Sequence, residues 1–161
     1  VAVSFRGERW TVSEGARDEF GLRWIFGTDN TGASPDPDRI HTGKNSGYQA
    51  IGLAHVFGAG RIVLLGFDMC NAADGRKHWH GNHPSGLSNG GHNRYDTWRR
   101  VMGTLADDLA ARGVKVLNAS RRTALKCFRR VTLETALDEI RSPERATDPR
   151  RLPEAVDRAV R

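Results

Sequence analysis

The sequence predicts an α/β fold built on a parallel sheet, and three observations predict it. Segments of strand character alternate with segments of helical periodicity along the chain. One strand segment, RIVLLGF at 61–67, is an unbroken apolar run with β-branched residues, the pattern of a strand covered on both faces. The glycine-rich and polar stretches collect where the strands end, which is where such sheets bind ligands.

Taken in order, GLRWIFG (21–27) reads as a short strand between glycines. GYQAIGLAHVF (47–57) reads as a helix, with Ala50, Ile51, Ala54 and Phe57 at the spacings of one face. RIVLLGF follows as the buried strand. NRYDTWRRVMGTLADDLAARG (93–113) is a second helix, whose stripe is Trp98, Val101, Met102, Leu105 and Leu109 and whose stop is Gly113. VKVLNAS (114–120) is a strand that runs into polar residues. TLETALDEI (132–140) is a helix capped by Thr132, with Leu133, Ala136, Leu137 and Ile140 on one side. The alternation argues for right-handed βαβ units. A chain of 161 residues holds one domain, expected over 1–140. A polar, proline-broken extension follows over 141–161, with a short helix at 152–160.

The composition narrows the setting. No apolar run approaches a membrane span and no signal-peptide pattern opens the chain, so a cytoplasmic location is expected. Cys70 and Cys127 are too few and too far apart for a disulfide framework. Val1 is not an initiator methionine, which leaves open that the chain is a fragment. The net charge is +6, and Arg121, Arg122, Lys126, Arg129 and Arg130 cluster with no acid among them. Such a cluster attracts phosphate groups or nucleic acid. Without an aromatic ladder a nucleic-acid platform has no support, and a solvated helix face is the plainer reading.

Three stretches carry chemistry. TGKNSG (42–47) precedes a helix, where Asn45 or Ser46 caps and free amides meet the positive end of the helix dipole. Gly43 and Gly47 permit close backbone approach and Lys44 adds charge, although the spacing is not that of a Walker loop. Asp68 closes the buried strand, where a carboxylate can hold a ribose hydroxyl, a metal or its own turn. HWHGNHP (78–84) lies in a connection far longer than strand-to-helix loops usually are. Its histidines, His78, His80 and His83, suit a zinc or another divalent metal, but Asn82 stands where a two-metal hydrolase would place an aspartate. A single imidazole acting as general base fits the sequence better, with Trp79 as an apolar wall.

In order and spacing, TGKNSGYQAIGLAHVFGAGRIVLLGFDM, HWHGNHP and VKVLNASRRTALKCF resemble a group of phage and bacterial proteins. These are related to the bacterial sialyltransferases of glycosyltransferase family 42 and to the archaeal hydroxymethylpterin pyrophosphokinase-like domain. The resemblance covers roughly residues 40 to 140. It implies a Rossmann-like transferase domain fed by a nucleotide-activated donor. It further implies that Ser46 and Gly47 lie by the donor phosphate, that His78 deprotonates the acceptor hydroxyl, and that Asn118 and Ser120 line the same cleft. The chain lacks the early G-x-G-P-S loop of the sialyltransferases, which leaves open that its N-terminal nucleotide-binding half is missing if the chain is a fragment. Met69 and Cys70 stand where the sialyltransferases carry a tyrosine near the donor phosphate. The expected function is therefore group transfer from a nucleotide-activated sugar to a hydroxyl-bearing acceptor. Its candidate donor-binding residues are Lys44, Asn45, Ser46, Gly47, Asp68, Asn118 and Ser120, with Trp79, His80 and His83 in the substrate loop. The alternatives are a metal-dependent hydrolase or phosphotransferase on His78, His80 and His83, and a nucleotide-binding module without catalysis.

Overall fold

The computed structural model describes residues 5–77, 83 and 92–141. The expected extension lies outside the described residues beyond Arg141, and its short helix at 152–160 lies there entirely. In the first half, β1 (Trp10–Thr11) leads through helix α1 (Glu14–Phe20) to β2 (Arg23–Trp24), β3 (Phe26–Thr28) and β4 (Arg39–His41). β1 pairs with β2 and β3 pairs with β4, both in parallel. The amides of Arg23 and Ile25 donate to the carbonyls of Arg9 and Thr11, at 2.8 and 3.0 Å. The Thr28 carbonyl instead accepts from Thr42, at 2.8 Å. Alternate groups of a strand point to opposite edges. Residues 23–28 are therefore one extended run, with β1 on one edge and β4 on the other.

Helix α2 (Ser46–Val56) carries the chain from β4 to β5 (Arg61–Leu64). Helix α3 (His92–Ala111) then crosses to β6 (Lys115–Asn118), and helix α4 (Leu133–Arg141) follows β7 (Arg129–Arg130). The three later strands form a parallel sheet in the order β5-β6-β7. Parallel neighbours cannot be joined by a tight hairpin, which is why α3 lies between β5 and β6. The chain is thus an α/β protein with parallel pairing throughout its described strands. Among the described residues, no helix is long and apolar enough to cross a membrane.

The helix starts follow the capping chemistry of the sequence. Ser13 Oγ accepts the Ala16 amide at 3.3 Å, Asn45 Oδ1 accepts the Tyr48 amide at 3.1 Å, and Thr132 Oγ1 accepts the Thr135 amide at 3.2 Å. Met102, Leu105 and Leu109 of α3 are fully buried, as the stripe predicted, against Leu64, Leu125, Phe128 and the α2 residues Tyr48 and Ile51. A second cluster joins Ile25, Ile40 and Val56 under Trp10 and Phe57. Helix α2 serves both clusters and so couples the two halves of the fold.

The connection between β3 and β4 is held from below. The Tyr48 hydroxyl donates to the Gly32 carbonyl at 2.9 Å, and the Asp108 carboxylate accepts the Ala33 amide at 2.9 Å. Burial pushes the Tyr48 phenol pKa up, so it stays a neutral donor. Gly32 has φ +84°, and a Cβ there would lie 2.2 Å from the Asp108 carboxylate.

The structure differs from the sequence expectation in four respects. The 61–67 strand ends at Leu64 because Gly66 turns the chain at φ +71°, and Leu65 is 59% exposed. Only Leu64 of that strand is buried, so it is not covered on both faces along its length. On α4 only Ala136 is buried, while Leu133, Leu137 and Ile140 of the predicted apolar side are exposed. Finally, β1, α1, β4 and β7 were not predicted; three of them are strands of two or three residues, too short to show a period.

Replacing Leu105 by Ala should cost about 3 kcal/mol in a urea titration, because α3 is fixed on both sides and cannot collapse into the void. Tyr48→Phe should cost about 1 kcal/mol, since it removes one buried hydrogen bond and preserves the ring.

Candidate functional site

The turn TGKN (42–45) is built from a left-handed pair. Gly43 and Lys44 have φ of +51° and +54°, and Asn45 returns to extended backbone as the cap of α2. Gly43 is required twice over, because a Cβ would also meet the Tyr48 ring at 2.5 Å. Lys44 is not glycine, so its conformation costs on the order of 1 kcal/mol. Its carbonyl accepts the Trp98 indole N–H at 3.1 Å, and its ammonium lies 3.7 Å from Asp29. The other non-glycine residue with positive φ among the described residues is Met69, at +49°. The Met69 carbonyl accepts from Arg99, at 2.8 Å. Two strained residues on separate loops are thus held by adjacent side chains of one helix, α3.

Those loops face each other. Asn45, Gly47, Phe67, Asp68, Met69, Cys70, Lys77, Tyr95 and Trp98 line a cavity of about 440 Å³. Gly47 touches the Phe67 ring closely enough that a Cβ would come within 2.8 Å of it. The Asp68 side chain is exposed and has no hydrogen-bond or ion-pair partner among the described residues. Tyr95 and Trp98 meet edge to face with ring centroids 5.8 Å apart. An exposed carboxylate, first-turn amides and an aromatic wall suit a ligand with an anionic part and a planar part.

Phe67, which lines this cavity, is held by a hydrogen-bonded clamp between the β5 and β6 loops. Ser120 Oγ accepts the Phe67 amide at 2.8 Å, and Thr123 Oγ1 donates to the Phe67 carbonyl at 2.7 Å. Thr123 Oγ1 also accepts the Leu125 amide and the Asn118 side-chain amide, at 3.0 and 3.3 Å. Asn118 Oδ1 takes the Ser120 amide at 3.0 Å, and the Asp68 carbonyl takes the Ala124 amide at 2.8 Å.

The residues expected to bind a donor therefore divide. Asn45, Gly47 and Asp68 line one cavity. Lys44 adjoins it with its ammonium beside Asp29. Ser46 is exposed and opens instead on a separate cavity of about 350 Å³ with Trp10, Thr11 and Gln49. Asn118 and Ser120 are buried, and their side chains shape the clamp. Ser120 also borders a larger cavity of about 910 Å³. His78, Trp79 and His80 lie outside the described residues, and His83 is a half-buried loop residue. Lys77, directly before His78, lines the 440 Å³ cavity.

Sequence reading did not find Phe67, Tyr95, Arg99 or Thr123. Trp98, assigned to the core stripe of α3, sits at the edge of that stripe and faces the cavity. The serine, arginines and threonine of NASRRT were a signal for Thr123, since a hydroxyl two residues before Leu125 can fold onto its amide. Nothing local marked Arg99, whose partner is distant in sequence.

Thr123→Val keeps the shape of the side chain but strands the Phe67 carbonyl and the Leu125 amide. It should lower unfolding free energy by about 2 kcal/mol in denaturant titration, more than a surface threonine would. No protein-family model matches this chain, and comparison with curated proteins and with solved structures gives no match either.

Proposed function

We propose that this is a Rossmann-like enzyme that transfers a group, most simply a sugar, from a nucleotide-activated donor to an acceptor hydroxyl. The observation that carries the reading is the 440 Å³ cavity, where the start of α2 meets the Asp68 loop that continues through Lys77 to His78. The first-turn amides of Ser46 and Gly47 have no intrahelical acceptor, and the α2 dipole adds positive potential. A departing nucleotide phosphate gains charge as its bond to the sugar breaks, so these groups stabilise it most in the transition state. Lys44 is one turn residue away and supplies a mobile ammonium. Asp68 accepts a ribose hydroxyl, and the Tyr95–Trp98 wall takes the planar base.

His78 acts as the general base. The acceptor oxygen attacks the anomeric carbon, its proton passes to the imidazole, and the carbon–oxygen bond to the phosphate breaks. The charge on the leaving nucleotide remains on phosphate oxygens at the helix start. Ser120 acts by holding Phe67, a lining residue of the cavity, and Asn118 by holding Ser120 and Thr123.

Two measurements test this. With a panel of nucleotide sugars and saccharide acceptors, His78→Ala should lower turnover by roughly a thousandfold while calorimetric donor binding persists. Unchanged turnover in that variant overturns the assignment, and donor binding with no turnover in the parent protein makes the chain a binding module. Gly47→Ala places a methyl group against the Phe67 ring and narrows the phosphate end of the cavity. It should weaken donor binding by about tenfold and, because the methyl group must displace the Phe67 ring, lower thermal stability modestly.

A further inference from the structure

Charge on the far side of Asp68 is unaccounted for by donor binding. The arginine cluster of the sequence is divided by the fold. Arg129 and Arg130 are successive strand residues and so point to opposite faces. Arg129 ion-pairs with Glu139, which Lys115 also contacts. Arg130 turns the other way and donates to the Arg121 carbonyl. Arg121, Arg122 and Arg130 then line the cavity of about 910 Å³ beyond the ends of β5, β6 and β7. Neither Arg121 nor Arg122 has a carboxylate partner among the described residues.

Three guanidinium groups around one concavity repel each other unless an anion joins them. The opposing acids are few. Asp68 is on the rim shared with the smaller cavity, and the Glu134 carboxyl is held low by its own amide and the Thr132 hydroxyl at the start of α4. Arginine favours the planar two-point geometry of phosphate and carboxylate. The cavity exceeds the size of a lone phosphate and would admit a phosphorylated sugar or a comparable small anion. Gly66 and Asp68 border both cavities, so a ligand in one lies beside a ligand in the other.

We infer that Arg121, Arg122 and Arg130 form a second subsite that takes the anionic group of a phosphate-bearing acceptor, with its hydroxyl directed across Asp68 to the donor. As an acceptor site it rests on the transfer reading above, whereas anion binding there does not. Glu134 competes with the bound anion, and removing its charge should strengthen binding.

Inorganic pyrophosphate, titrated calorimetrically at low ionic strength, is the probe. The full chain should bind it, and Arg121→Ala with Arg122→Ala should weaken binding roughly tenfold or more. Glu134→Gln should tighten binding severalfold, a response that general charge screening would not produce at so few positions. Arg17→Ala, on α1 and lining neither cavity, should leave it within about twofold. Both arginines are exposed, so circular dichroism of the double variant should match the parent. No binding by the parent, or binding kept in the arginine variant, overturns the inference and leaves the donor experiments standing. Binding of a short single-stranded oligonucleotide without binding of pyrophosphate also overturns it, and marks the cluster as a nucleic-acid surface. If pyrophosphate binds as expected but no nucleotide sugar does, the anion subsite stands and the transfer reading fails.

Discussion

Phe67 is gripped at both its backbone groups by one neighbouring loop, and the arrangement of the whole face follows from that grip. Its amide goes to Ser120 and its carbonyl to Thr123, two residues that leave β6. A strand end in a parallel sheet has free amides and carbonyls, and a chain that turns away there must find other partners for them. Here the partners are hydroxyls, themselves held by a fully buried Asn118. The β5 loop is thereby fixed at the level of the β6 loop, and the Phe67 ring is set against Gly47 at the start of α2. The loops that leave β4, β5 and β6 thus meet at Phe67, the last two through side-chain hydrogen bonds and the first through Gly47.

That rigidity explains how two costly conformations persist. Lys44 and Met69 occupy the left-handed region without being glycine, on loops that otherwise belong to different halves of the fold. Each has its carbonyl held by a side chain of α3, Trp98 for the first and Arg99 for the second. A strained backbone survives only where its surroundings over-determine it, and such places concentrate at ligand sites. The two holding residues are neighbours near the start of the best-packed helix, whose later turns bury Met102, Leu105 and Leu109. Burial of the stripe thus positions the loops through the residues just before it.

What was legible in the sequence, and what was not, follows from the same distinction between local and distant causes. The long helix over 92–111 was legible because its stripe repeats for several turns, and the cap Thr132 because its partner is three residues away. The cap of α2 was legible only as Asn45 or Ser46, and the Tyr48 amide selects Asn45. β4 was not legible because a three-residue strand carries one buried side chain, Ile40, and no period. β5 was over-read because an apolar run shows no difference between a covered strand and a strand followed by a turn; Gly66 decides it. Asn118 and Ser120 stand out as polar residues at a strand end, but polarity there does not reveal whether a side chain faces a ligand or a neighbouring loop. The clamp itself joins residues more than fifty positions apart, and no local pattern encodes such a pairing.

The same reasoning separates the arginines, which the sequence presents as one basic stretch. Strand alternation sends Arg129 to Glu139 and Arg130 to the opposite face, so a single two-residue strand splits structural charge from unneutralised charge. The Glu139 carboxylate, shared with Lys115 of β6, ties α4 to the sheet, and Arg61 of β5 reinforces it by donating to the Ile140 carbonyl at 3.0 Å. With α4 held by those polar contacts, its start is fixed beside Arg121 and Arg122 although most of its apolar side stays exposed. A helix docked this way is weakly buried, and its position depends on charged contacts with the sheet rather than on a hydrophobic seam. The concavity beyond β5, β6 and β7 therefore inherits its shape from the Glu139 contacts and its charge from the residues those contacts leave over.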